Sequence, residues 1–208
     1  MAALTAEQVR GVVRALRESP IYPHVVVLLA TGMRRGELMG LRWGDVDFDN
    51  AKLRIERAVE KTKAHGFRIK APKTANGRRT ISLPTAALEV LRQRRKAALE
   101  VRMKLGLGEL PDEAHVFGNE LGEVRDPDYV TRAWRRCVES RGIPDVPLHA
   151  LRHSHASALI AGRHDPVTVS RRLGHGNAAT TLRVYAHLFD RGDEEAASTM
   201  DSVLSVSD

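Results

Sequence analysis

Cysteine is nearly absent. The 208 residues contain one, Cys137, so no internal disulfide can form. Long apolar runs are missing as well, and no stretch approaches the ~20 residues that a bilayer-spanning helix needs. No charged segment followed by an apolar core opens the chain, so nothing points to secretion. A reducing cytoplasm is the expected compartment. Also absent are a G-x-x-x-x-G-K-[ST] phosphate loop and a cluster of acids of the kind that holds two catalytic magnesium ions. No internal repeat, low-complexity segment or interdomain linker interrupts the sequence, and its length suits one domain with a substantial core.

What is present is positive charge, unevenly placed. Lys and Arg number 33 against 26 Asp and Glu, a formal net charge of +7. Between Lys52 and Arg79 there are ten basic residues and two acids, a net +8, which leaves the rest of the chain at −1. A basic segment inside a balanced domain suits a polyanion, because each neutralised phosphate releases condensed counterions. A solvated basic surface is the plainer reading of the same charge.

Local patterns predict a mainly helical α+β domain. Thr5-Ala6-Glu7-Gln8 has the form of a capping box, and Val9, Val12, Val13 and Leu16 follow at helical spacing, so a helix is expected from about 6 to 18. The apolar run from His24 to Ala30 reads as a buried helix closed by Thr31-Gly32, with a short helix restarting over Arg34 to Leu41. Residues 51–60, 67–71 and 78–83 read as short strands, the last two joined through Asn76-Gly77, giving a small three-stranded antiparallel sheet. Helices are expected over 85–104, 127–141, 149–161, 167–173 and 178–188, with Asp126-Pro127 and Asp165-Pro166 as cap-and-start pairs. The tail from Asp190, with six acids and one base, reads as a weak helix or frayed end, so residues 1–190 form the expected domain and 191–208 its acidic appendage.

Five separated segments carry chemistry. They are Thr31-Gly32-Met33-Arg34-Arg35-Gly36-Glu37-Leu38, Ala71-Pro72-Lys73-Thr74, His149-Ala150-Leu151-Arg152-His153, Leu173-Gly174-His175, and Arg183-Val184-Tyr185-Ala186-His187. Each has an ordinary reading alone: a surface arginine, a basic turn, a helical i,i+3 pair, a capping histidine, a core tyrosine. In this order and spacing they resemble the tyrosine recombinases of the phage-integrase family. That family shows an arginine at a helix start, a hairpin lysine, His-x-x-Arg, Leu-Gly-His and a tyrosine on a terminal helix. The resemblance runs from about Leu4 to Leu188.

The resemblance implies a catalytic domain that cuts and rejoins double-stranded DNA through a 3′-phosphotyrosine. Tyr185 is then the nucleophile, Arg34 and Arg152 bind the phosphate, and His149 is the candidate base. Lys73 is the candidate acid for the 5′ oxygen, His175 a further phosphate donor, and Glu37 a carboxylate placed to hold the site's cations or the histidine by hydrogen bonds. These types suit the reaction, because attack on a phosphodiester builds negative charge that fixed cations stabilise, and a phenol must lose its proton. Lys70, Arg78, Arg79, Arg171 and Arg172 are expected on the DNA backbone. Because the bond energy is kept in the phosphotyrosine, neither ATP nor a metal is implied. A free monomer that becomes a tetramer on paired DNA sites is the expected assembly.

Two departures stand out. Ala150 replaces an acid common among relatives, and the chain opens directly on the catalytic part without the usual N-terminal helical clamp, so weak independent DNA binding is expected. Rival readings are a non-catalytic helix-turn-helix protein built on residues 165–187, a type IB topoisomerase, an inactive regulatory relative, and a zinc site among His149, His153 and His155.

Overall fold

The computed structural model describes residues 3–62, 66–71, 77–189 and 193–205. Its first helix, α1 (Ala6–Ala15), starts at the expected capping box: Thr5 accepts from the Gln8 amide and the Gln8 side chain accepts from the Thr5 amide. It ends three residues before the expected boundary. The helix α2 (Tyr22–Thr31) is apolar on every side and correspondingly buried, packing against the helices Thr85–Lys104 and Ala150–Ala161. Gly32 terminates α2 at φ 63°, and a Cβ there would lie 2.5 Å from the His155 ring and 2.9 Å from Leu173. Both the left-handed turn and the close approach therefore require glycine. A short α3 (Arg35–Met39) follows, with Arg34 at its N-cap.

The strands pair differently from the sequence expectation. One antiparallel sheet has the order β1-β2-β5, formed by β1 (Val46–Asp47), β2 (Lys52–Ile55) and β5 (Arg79–Ser82). A separate hairpin is formed by β3 (Ala58–Thr62) and β4 (Gly66–Lys70), with Val59 opposite Ile69. The segment read as one strand over 51–60 is thus split between two sheets. Residues 67–70 pair back onto β3 and residues 79–82 pair with β2, so these two strands are not partners; Asn76 of the expected turn lies outside the described residues. In register, Leu53 faces Ile81 and both are buried, which pins β5 to β2 by core packing that local turn chemistry does not encode.

The remaining helices are α4 (Thr85–Lys104), α5 (Asp128–Ser140), α6 (Ala150–Ala161), α7 (Pro166–Leu173), α8 (Ala178–Phe189) and α9 (Asp193–Leu204). Asp165 caps α7 as expected, accepting from the amides of Val167 and Thr168. The pair Asp126-Pro127 works one residue later than expected: Pro127 is the N-cap of α5 and Asp126 accepts from the Asp128 amide. The acidic tail forms the helix α9. A main core surrounds Leu16, Val27, Met33, Leu38, Leu53, Leu91, Trp134 and Leu151. A smaller cluster of Ala156, Ile160, Val169, Leu173 and Tyr185 joins α6, α7 and α8. Full burial of each large apolar side chain stabilises the fold by about 1.5–3 kcal/mol, and Tyr185 is the buried residue through which α8 joins this cluster. No helix among the described residues is long and apolar enough to cross a membrane.

Candidate active site

The cationic part of the site is built on Glu37. Its carboxylate, 4% exposed, accepts from the backbone amide of Arg34 at 3.0 Å and from the Arg34 guanidinium at 2.9 Å. It also accepts from Arg79 Nη2 at 2.8 Å and Nη1 at 3.3 Å. Burial pushes the Glu37 carboxyl upward, but the hydrogen bonds and charges of Arg79 and Arg34 outweigh it and hold its pKa below the usual carboxylate value. Because Arg34 keeps 47% of its side chain exposed, Glu37 orients it without removing it from solution.

Arg79 is spent on the fold. Its side chain is 7% exposed, and Nε donates to the Arg172 carbonyl at 2.8 Å. The expectation of Arg79 on the DNA backbone is corrected accordingly: its guanidinium joins β5 to α3 and α7. Arg172 is turned inward too, donating to His155 Nε2 at 3.1 Å and to the carbonyls of Ala30 and Ser82. Arg171 and Arg78 are exposed, the latter 3.9 Å from Glu56. Lys70 pairs with Glu60 across the hairpin. Lys73 lies outside the described residues.

Arg152, on α6, points its Nη1 to the Gly32 carbonyl at 2.6 Å, while its buried Nη2 has no hydrogen-bond partner among the described residues. Burial, and then Arg34, lower this guanidinium to about 10, so it stays charged at neutral pH. A buried arginine donor without an acceptor costs roughly 1–3 kcal/mol, which an incoming anion would recover. His149, just before α6, is exposed beside it, and its pKa is lowered by burial and by the charges of Arg152 and Arg34.

Gly174 closes α7 at φ 69°, and a Cβ there would meet Arg79 Nη1 at 2.5 Å, so the Leu-Gly-His segment needs its glycine for both reasons. His175 follows, with Nδ1 2.8 Å from the Thr181 hydroxyl. Burial, with Arg152, Arg34 and Arg79, lowers its pKa to about 4. Tyr185 is 5% exposed and its hydroxyl lies 2.6 Å from Nδ1 of His153. Burial raises the phenol's pKa, and Arg152 opposes that rise.

Arg34, Glu37, His149, Arg152, His175 and Tyr185 therefore converge, linked through Gly32 and the shared fields of Arg34 and Arg152. Sequence reasoning had no catalytic role for His153, although it stands one helical turn after His149. The three histidines considered for zinc have separate tasks: His149 sits by Arg152, His153 holds Tyr185, and His155 bonds Leu29 and Arg172. Among the described residues no group of three or more His, Cys, Asp or Glu side chains is placed to hold a metal ion.

Similarity to known proteins agrees with this constellation. The chain is 28% identical over 207 residues to a tyrosine recombinase XerC-like protein of Caldanaerobacter subterraneus subsp. tengcongensis, covering 95% of this chain and 53% of that one. It is 33% identical to the ICEBs1 integrase of Bacillus subtilis, covering 86% and 48%. The chain thus spans about half the length of these relatives. Its fold matches the Tn1549 transposon integrase solved with transposon right end DNA, at a TM-score of 0.73 and 21% identity over 98% of this chain and 66% of that one. It also matches the XerA recombinase, at a TM-score of 0.68 and 20% identity over 100% and 66%. The family profile described as the phage integrase family matches residues 2–191, and with the site's five segments in their order the chain belongs to that family.

Proposed function

We propose that this chain is the catalytic part of a site-specific DNA recombinase that forms a 3′-phosphotyrosine at Tyr185, for integration or excision of DNA. The observation that supports it most is a tyrosine hydroxyl and a buried, unsatisfied Arg152 donor in one cationic cluster. The scissile phosphate is the acceptor that such a cluster lacks. Arg34 and Arg152 bind its non-bridging oxygens, and stabilisation of the charge developing there accounts for roughly 10²–10³ in rate per donor in comparable sites. His175 is neutral at pH 7, and in the tautomer whose Nδ1 accepts from the Thr181 hydroxyl its Nε2–H donates to the phosphate. His149, exposed beside Arg152, serves the phosphate and its proton transfers. Lys73 gives the departing 5′ oxygen its proton.

Attack by the Tyr185 oxygen forms the tyrosyl–phosphorus bond and releases a 5′ hydroxyl. The reverse attack by a 5′ hydroxyl from another strand rejoins the DNA. The partner is double-stranded DNA, bound by a monomer that assembles to a tetramer on paired sites. A cytoplasmic setting suits such a substrate and a single buried thiol.

Tyr185→Phe tests the reading. Only a hydroxyl is lost from a ring that packs in the α6–α7–α8 cluster, so fold and DNA affinity should persist while the covalent adduct disappears. The protein is trapped on a nicked suicide duplex and run on a denaturing gel. A shifted band from the Phe variant would show that another residue is the nucleophile.

A further inference from the structure

His149 was the base expected from the motif, yet it makes no hydrogen bond to the phenol among the described residues. The partner of the Tyr185 hydroxyl is His153 Nδ1, at 2.6 Å, the short end of the hydrogen-bond range. His149 instead meets the His153 ring edge-on, with centroids 4.9 Å apart. The two histidines lie four residues apart, one turn along the same face, and divide the surroundings between them. The first is exposed toward the phosphate site, while the second is buried against the nucleophile.

We propose that His153 is a catalytic residue, the immediate proton acceptor for Tyr185. The inference rests on Tyr185 being the nucleophile. As the phenolic oxygen bonds to phosphorus, its O–H bond breaks and an N–H bond forms at His153 Nδ1. The phosphorus–O5′ bond breaks, and O5′ takes a proton from a separate acid, for which Lys73 is the candidate. Rejoining runs backwards: a 5′ hydroxyl attacks, its proton returns to that acid, and the departing phenolic oxygen recovers its own from His153.

The surroundings suit a transient acceptor. Burial, then His149 and Arg152, hold the His153 pKa below its ordinary value, so the resting ring is neutral with a lone pair to offer. Burial also raises the phenol's pKa, so Tyr185 does not ionise unaided and gains from a partner already in place. Among the described residues His153 Nε2 has no hydrogen-bond partner and no carboxylate backs the ring as one does in a Ser-His-Asp triad. The imidazolium is therefore favoured only while negative charge is building on the adjacent phosphate.

His153→Asn separates proton transfer from positioning, because an amide oxygen near the place of Nδ1 accepts the phenol's hydrogen bond but not its proton. Single-turnover adduct formation on a nicked suicide duplex should slow roughly 100-fold in this variant, with DNA affinity within about twofold of the parent. In His153→Ala, added imidazole should restore part of the lost rate, and thermal melts confirm that each variant is folded. A parental rate in His153→Asn, or a folded His153→Ala that imidazole does not rescue, would overturn the proposal. Failure of the unaltered protein to form any adduct at Tyr185 is a distinct result, and it would overturn the recombinase reading on which the proposal rests.

Discussion

The two halves of the site achieve opposite electrostatic states with neighbouring residues. Around α3, β5 and α7, the guanidiniums of Arg34, Arg79 and Arg172 are held in place by hydrogen bonds to Glu37 and to backbone carbonyls. Around α6 and α8, His149, His153 and His175 are all held toward neutrality by burial and by nearby arginines, while the Tyr185 phenol is kept protonated by burial. One half supplies fixed positive charge and the other supplies groups able to give or take a proton at pH 7. The first half also acts on the second, since Arg34 lowers both His149 and His175, adding to the effect of Arg152 on α6 itself. A phosphoryl transfer needs both functions side by side, and the buried carboxylate of Glu37 stands on the cationic side, where it aligns the charges of Arg34 and Arg79.

The contrast between the halves is most exposed to change at Glu37. Glu37→Gln leaves Arg79 buried without its carboxylate, at a cost of about 3 kcal/mol in stability, and frees Arg34 as well. The expected outcome is a clear drop in the denaturant midpoint together with slower adduct formation. An unchanged midpoint would mean that the Glu37–Arg79 pair does not hold the cationic half together.

Acid should probe the neutral groups. His155 is lowered to about 4, chiefly by burial, despite its hydrogen bond to the Leu29 carbonyl. A histidine depressed in the fold binds fewer protons than in the unfolded chain, so its stabilisation is complete above the unfolded value near 6.5 and is lost as pH falls toward 4. For this one residue the loss is on the order of 3 kcal/mol. Melting temperature measured from pH 7.5 to 4 should fall steeply in the parent and less in His155→Gln. Parallel curves would place the acid sensitivity elsewhere.

The smallest effect distinguishes two adjacent arginines. Arg78 is 61% exposed and Arg79 is not. Neutralising Arg78 together with the exposed Arg171 should lower the slope of log affinity for duplex DNA against log salt by roughly 0.9 for each phosphate that is no longer neutralised. Arg79→Gln should instead lower stability. Fluorescence anisotropy at several salt concentrations, alongside melting curves, reads both; an unchanged slope in the double variant would mean that these two arginines face solvent in the complex.

Much of the architecture follows from short-range rules, and those parts were legible. The Thr5 capping box, the Asp165 cap, the left-handed stops at Gly32 and Gly174, and the apolar run through α2 each depend on residues within a turn of one another. The order of Arg34, His149-Ala150-Leu151-Arg152, Gly174-His175 and Tyr185 identified the family for the same reason: each motif is local even though the site is not. Strand pairing was misjudged because residues 51–60 carry one continuous β pattern. The division between β2 and β3 arises only when Leu53 and Ile55 enter the core while Ala58 and Val59 pair with β4.

The sequence by itself determined the helices, the glycines and the kinds of group that a phosphodiester reaction requires, because these depend on backbone sterics, capping and the chemistry of single side chains. Only the tertiary structure decided which of two adjacent arginines faces solvent, and which of two histidines on α6 meets the nucleophile. Arg79 is claimed by Glu37, 42 residues earlier in the chain, and His153 rather than His149 is met by Tyr185, 32 residues later. Those partners are chosen by the packing of β5 against α7 and of α8 against α6, and a buried polar group takes whatever partner that packing brings within reach.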